Sequence, residues 1–139
     1  MRIIVDAYGG DNAPEAVLRG CRMAADQWKC EIILTGDGEK LREKAAEMGI
    51  SLEGMTIAEA PDVFPMEAEP TAIMKQYKDS SMARGLQMLA EGGGEALVSA
   101  GSTGALVVGG TLIVKRIKGV KRPAIGTVVP CKDGCFMML

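Results

Sequence analysis

Short apolar runs alternate with amphipathic ones along most of this chain, and that alternation constrains the fold more than any other feature. Residues 2–6 (RIIVD), 31–35 (EIILT), 55–60 (MTIAEA) and 96–99 (ALVS) have strand length and are mostly aliphatic. Between the first two lies a helical pattern over residues 14–28, with Ala16, Val17, Gly20, Met23 and Ala24 on one face. A charged helix over 39–48 ends at Gly49, and a third, capped by Asp79 or Ser80, runs to about Glu91 before Gly92, Gly93 and Gly94 stop it. Pro61, Pro65 and Pro70 make the intervening segment an irregular loop. Strands alternating with helices form a sheet that is mostly parallel and covered on both faces, so the expected fold is α/β, a three-layer αβα arrangement. Beyond residue 99 an almost wholly apolar helix is expected to reach Arg116, buried on most sides, with Gly109 and Gly110 packed closely against a neighbour. Two apolar strands, 124–130 and 135–139, are expected around the turn at Lys132, Asp133 and Gly134.

Composition excludes several classes of function. At 139 residues with 47% apolar content, the chain suits one domain with a real core and needs no second. Its longest apolar stretch, 105–114, is broken by Gly109, Gly110 and Thr111 and falls well short of the roughly 20 residues that cross a bilayer. Nothing at the N-terminus resembles a secretion signal, so a cytoplasmic location is expected. A net charge of -2 with dispersed basic residues and few aromatics argues against nucleic acid as a partner. The chain has no histidine, which removes a Ser-His-Asp triad, a Cys-His pair and any His metal ligand. The four cysteines lack the paired spacing of a zinc site and are expected to be reduced structural thiols, although Cys131 and Cys135 could face each other across a hairpin. No metal and no cofactor are expected.

The chemistry is concentrated in residues 98–106 (VSAGSTGAL), where a strand passes through a hydroxyl- and glycine-rich turn into a helix. Gly101 and Gly104 let main-chain N–H groups approach a ligand, Ser99, Ser102 and Thr103 supply hydroxyls, and the helix start adds unpaired N–H groups and a positive dipole end. Such a turn can hold a phosphate without lysine. It fits equally well a plain turn in which Ser102 or Thr103 only caps the helix. Gly9, Gly10 and Asp11 follow the first strand, and ligands of open parallel sheets bind beyond the carboxyl ends of strands, so both loops are expected to line one crevice. Asp6 and Asp11 fit turn chemistry as well as they fit a crevice mouth. Lys78, Ser80 and Ser81 place a cation and hydroxyls at a helix start, a pattern that also serves as a cap. The basic residues of 115–122 follow a helix C-terminus, where cations are favoured by the dipole. Gly36 and Gly38 after a strand faintly echo a dinucleotide fingerprint, but the third glycine and the later acidic residue are not in place.

Taken in order, residues 6–15 (DAYGGDNAPE), Glu69 with Pro70, 78–82 (KDSSM), the 98–106 turn and 116–124 (RIKGVKRPA) resemble the bacterial phosphate acyltransferases of phospholipid synthesis, the PlsX family. The resemblance covers essentially the whole chain. It implies transfer of a fatty acyl group from acyl carrier protein to inorganic phosphate, giving acyl phosphate; related possibilities are an acetyl and coenzyme A phosphotransacylase, a dinucleotide-binding relative or a non-catalytic remnant. It further implies an isocitrate/isopropylmalate dehydrogenase-like fold, a homodimer and peripheral contact with the membrane. Phosphate or substrate binding would fall to Ser99, Gly101, Ser102, Thr103 and Gly104, with Gly9, Gly10, Asp11, Lys78, Ser80 and Ser81; the resemblance identifies no catalytic group. Family members are longer, so residues 1–139 are expected to be the N-terminal part of one domain, inactive by itself. Tyr8 stands where the family commonly has Met, Asn12 where it has His, Ser102 where it has Asn, and Gln76 and Tyr77 interrupt a usually basic run. Residues 115–122 offer a docking strip for the acidic carrier protein.

Overall fold

The computed structural model describes residues 1–138. Four strands, β1 (Arg2–Asp6), β2 (Glu31–Gly36), β3 (Met55–Glu59) and β4 (Ala96–Val98), form one sheet in the order β3-β2-β1-β4. All neighbours are parallel, with Val5 opposite Leu34 on one side and Val98 on the other.

Side chains alternate across the strands, and each face is covered. On one side Val5, Ala7, Ile32 and Leu34 meet Leu18, Cys21 and Ala25 of α1 (Glu15–Trp28) and Leu41 and Ala45 of α2 (Gly38–Glu47). On the other, α3 (Ser81–Ala90) crosses the sheet so closely that a methyl group on Gly85 would lie 2.7 Å from Leu97 Cδ1 and 3.4 Å from Ile4 Cγ2. The expected α/β fold with a covered parallel sheet is therefore present. Removing large side chains such as Ile4, Leu18, Leu34 and Leu41 wholly from water contributes about 1.5–3 kcal/mol each.

Several local expectations are corrected. The buried face of α1 is Leu18, Cys21 and Ala25, flanked by Val17 and Ala24, while Ala16 and Met23 are exposed and Gly20 lines an open apolar groove with Val17, Ala24 and Val98. Two stripes of similar hydropathy run along this helix, and sheet contact selects the one holding the larger Leu18. The helix expected to run to Arg116 is α-helical only over α4 (Thr103–Gly109) and then widens into a π-helical turn, Gly110–Val114. Thr111 Oγ1 donates to the Val107 carbonyl at 2.6 Å, competing with the main-chain ladder where Gly109 and Gly110 already weaken it. Only Ala105 and Gly109 of α4 are fully buried, so the helix is less enclosed than its composition suggests.

The last two strands, β5 (Thr127–Cys131) and β6 (Gly134–Met138), pair antiparallel as a separate, largely exposed ribbon outside the parallel sheet. Cys131 lies opposite Gly134 and Cys135 opposite Pro130. Adjacent positions point to opposite faces of a strand, so the two thiols do not face each other. Leu139, the expected end of the last strand, lies outside the described residues.

Candidate functional site

The site grows from the side-by-side ends of β1 and β4. Asp6 closes β1 with a fully buried carboxylate, and Tyr8 N–H donates to its Oδ1 at 3.3 Å. Parallel register brings Val98 beside Val5 and therefore Ser99 beside Asp6. Ser99 Oγ donates to Asp6 Oδ2 at 2.7 Å, and the same Oγ accepts the Gly101 N–H at 3.1 Å. Gly9 lies over this junction, where a Cβ would stand 2.6 Å from Asp6 Oδ2, 2.7 Å from Ser99 Oγ and 2.9 Å from Gly101 N. Gly10, at φ +106°, adopts a conformation that side chains other than glycine's rarely reach and packs on Ala100. The two glycine turns expected to share a crevice do meet.

At the start of α4, Ser102 is buried and its Oγ accepts the Ala105 N–H at 3.4 Å, a helix cap. Thr103 is exposed, and Gly104 sits against Pro70, whose Cγ would be 2.7 Å from a Cβ there. The N–H groups of Thr103 and Gly104, in the first turn, have no partner among the described residues. Gly9, Gly10, Asp11, Asn12 and Ala100 line a cavity of about 430 Å³ together with the first turns of α1. Neither Thr103 nor Gly104 lines that cavity; their N–H groups, the exposed Thr103 hydroxyl and the glycine-permitted close approach of the two turns are of the kind that gathers the oxygens of a small anion.

The third segment is arranged differently. Ser80 is buried and caps α3 by accepting the Ala83 N–H at 3.3 Å, while Ser81 is buried with its own N–H given to the Asp62 carbonyl at 2.9 Å. Lys78 is exposed and lines another cavity, of about 370 Å³, with Glu59, Pro61, Asp79, Arg84 and Gln87. The segment still touches the turn through Met82, whose Cε would be 2.8 Å from a Cβ on Gly101. At the Gly36 turn, Glu59 Oε2 accepts the Gly38 N–H at 3.0 Å and Asp37 Oδ1 the Lys40 N–H at 3.2 Å, so protein carboxylates occupy donors that a dinucleotide phosphate would need.

The sequence left Asp6 undecided between turn chemistry and a crevice mouth, and assigned Tyr8 no role. Asp6 joins the loops, and its only signal was a carboxylate ending an apolar strand. Tyr8 lays its ring against Gly36, where a Cβ would fall 2.6 Å from Cε2, so the glycine makes room for the aromatic side chain. Burial, and then the nearby Asp37 carboxylate, push the Tyr8 phenol above its ordinary range, and its hydroxyl has no partner among the described residues. Asp37 is held below the usual carboxylate range by its bond to the exposed Lys40 ammonium, 2.7 Å away.

The family described as "Fatty acid synthesis protein" matches residues 1–139. The chain belongs to that family. Phosphate acyltransferases from Caldicellulosiruptor bescii and Clostridium perfringens are 44% and 42% identical to it over 140 residues, which is 100% of this chain and 42% and 41% of theirs. The phosphate acyltransferase of Acetivibrio thermocellus is 45% identical over 135 residues, 96% of this chain and 40% of its own. The chain thus spans about two fifths of the length of the curated relatives it matches. No helix among the described residues is long and apolar enough to cross a membrane.

Proposed function

We propose that this chain carries the phosphate-binding part of an enzyme that transfers a fatty acyl group from acyl carrier protein to inorganic phosphate. One observation carries the reading. The Gly9–Gly10 and Ser99–Gly104 turns, far apart in sequence, converge at the carboxyl ends of two parallel strands in a chain that belongs to a fatty acid synthesis family.

A phosphate oxygen attacks the thioester carbonyl, the C–S bond breaks, and the carrier thiol departs with the proton of hydrogen phosphate. Phosphate is already anionic and nucleophilic near neutrality, so the reaction needs positioning and oxyanion stabilisation more than a strong base, and the lack of histidine in these residues is compatible with it. Thr103, Gly104 and the Gly10 main chain are the donors proposed to face phosphate, with Gly9, whose N–H is given to the Asp6 carbonyl, and Ser99, Gly101 and Ser102 shaping the turn. Lys78 lines a separate cavity with Glu59 and Asp79 and is assigned long-range positive potential only, and Ser80 and Ser81 anchor its segment. Asp11 lies at the rim. The exposed cations Lys115, Arg116, Lys118, Lys121 and Arg122 form the docking strip for the acidic carrier protein.

An isocitrate/isopropylmalate dehydrogenase-like domain, a homodimer, a cytoplasmic location and peripheral membrane contact belong to the same proposal. Residues 1–139 would be the N-terminal part of that domain. The deciding experiment follows acyl phosphate formation by the full-length protein that carries these residues, varying phosphate, acyl length and carrier. Gly104→Val should raise the phosphate KM tenfold or more, because its Cβ meets the Pro70 ring at the turn. Unchanged phosphate kinetics in a combined Gly104→Val and Ser102→Ala variant would remove the phosphate site from this turn, and preference for acetyl-coenzyme A would move the enzyme to the short-chain class.

A further inference from the structure

The residue that joins the two turns is a buried carboxylate facing no cation. Asp6 is 2% exposed, and it forms no ion pair among the described residues. Among the described residues its oxygens are met only by the Ser99 hydroxyl at 2.7 Å and, more loosely, by the Tyr8 N–H at 3.3 Å. Burying a charge on such terms is unfavourable for stability, and a neutral side chain would fill the space at lower cost. What the carboxylate does supply is direction. A serine hydroxyl has one proton and can rotate; next to an ionised acceptor the proton has one preferred place. With the proton held on Asp6, a lone pair of Ser99 Oγ is left to accept the Gly101 N–H at 3.1 Å, which fixes the course of the main chain into the helix start.

We propose that Asp6 is a positioning residue of the anion site, acting through Ser99, and that the Ser99 hydroxyl is a strut of the turn rather than a ligand to phosphate. This rests on the phosphate reading above. The pair works as a unit because either partner alone leaves the Gly101 N–H without an oriented acceptor. Gly9 keeps the junction dry and close by having no side chain to place there.

The test uses the full-length protein carrying these residues, with Asp6→Asn, Ser99→Ala and the double variant. Amide exchange at Gly101 is measured without any anion, and steady-state kinetics are measured with inorganic phosphate and the acyl donor varied in turn. Each single variant should speed Gly101 exchange about tenfold and raise the phosphate KM about tenfold, leaving the acyl-donor KM within about twofold. The double variant should be no worse than either single one, as expected of groups acting together. Gly101 exchange unchanged in Asp6→Asn overturns the proposal, as does an unchanged or lower phosphate KM, or effects that multiply in the double variant. A wild-type protein without phosphate-dependent turnover would remove the functional reading instead, and the exchange measurement would still decide whether Asp6 holds the turn.

Discussion

Replacing Gly9 with alanine should be among the most damaging single-methyl changes in this protein, and its size can be worked from three distances. The new Cβ would lie 2.6 Å from Asp6 Oδ2, 2.7 Å from Ser99 Oγ and 2.9 Å from Gly101 N, where about 3.4 Å or more is ordinary contact. Gly9 has no positive φ, so the backbone itself tolerates alanine and the unfolded chain even loses entropy, worth about 0.4–1 kcal/mol in favour of the variant. Against this stand overpacking strain of about 1–3 kcal/mol and loss of a hydrogen bond to a charged group, about 1.5–3 kcal/mol. The net expectation is destabilisation of about 2–5 kcal/mol together with lost phosphate affinity. Gly20→Ala is the control: it lines an open groove beside α1 with nothing within 4 Å of its Cβ, and should stabilise by about 0.5–1 kcal/mol. Urea unfolding of both variants, followed by circular dichroism, makes the comparison. A Gly9→Ala protein within about 0.5 kcal/mol of its parent, still binding phosphate normally, would refute the packing argument.

Three further outcomes are expected. Ser80→Ala should lower stability by about 1–2 kcal/mol in the same urea assay, since it removes a buried cap of α3; a neutral result would mean that water replaces it. Charge reversal at Lys118 and Lys121 should raise the KM for acyl carrier protein, more at low salt than at high, because exposed charges act over about 10 Å at 0.1 M salt; an effect indifferent to salt would return the strip to a plain helix end. Burial pushes the Cys21 thiol up from 9.0 to about 11, so a thiol reagent should modify exposed Cys131 and Cys135 at once and Cys21 only after unfolding. Between these two pH values the unfolded chain gives up the Cys21 proton while the native chain keeps it, so stability should fall as pH rises, and Cys21→Ala should flatten that decline in pH-dependent urea midpoints.

The four strands of the sheet and the three helices that cover it were legible because each has a single dominant periodicity and a capping or glycine signal at its end. The family was legible from glycine and hydroxyl motifs in fixed order. What escaped depended in part on partners distant in sequence and in part on the competition of local hydrogen bonds. Which stripe of α1 is buried is decided by the sheet, and no local feature distinguishes Leu18 from Met23 as the contact. The π-helical end of α4 arises from Thr111 bonding back to Val107 beside two glycines, a competition that hydropathy does not register. Within the site, the convergence of two glycine loops followed from topology, but the work of each hydroxyl did not. Ser80 and Ser102 fitted a helix cap as well as a ligand donor, and each makes the cap bond, while Ser99, expected as a donor, also holds the local backbone. A hydroxyl's partner is a matter of a few tenths of an ångström, and sequence spacing does not carry that.

The bond between Ser99 and Asp6 closes a loop of 93 residues. Bringing ends that far apart together costs about 4 kcal/mol of chain entropy, which local interactions within either turn cannot repay. The proposed phosphate seat therefore has no existence as a linear motif. A peptide copied from residues 98–106 would keep the glycines and hydroxyls and lack the wall against which they are set. In the folding chain the seat arises only when β4 finds β1, after α1, α2 and α3 have filled the interval between them. Its persistence is then tied to one strand pairing of three residue pairs, so opening of β4 alone would silence the site while the rest of the sheet stayed folded.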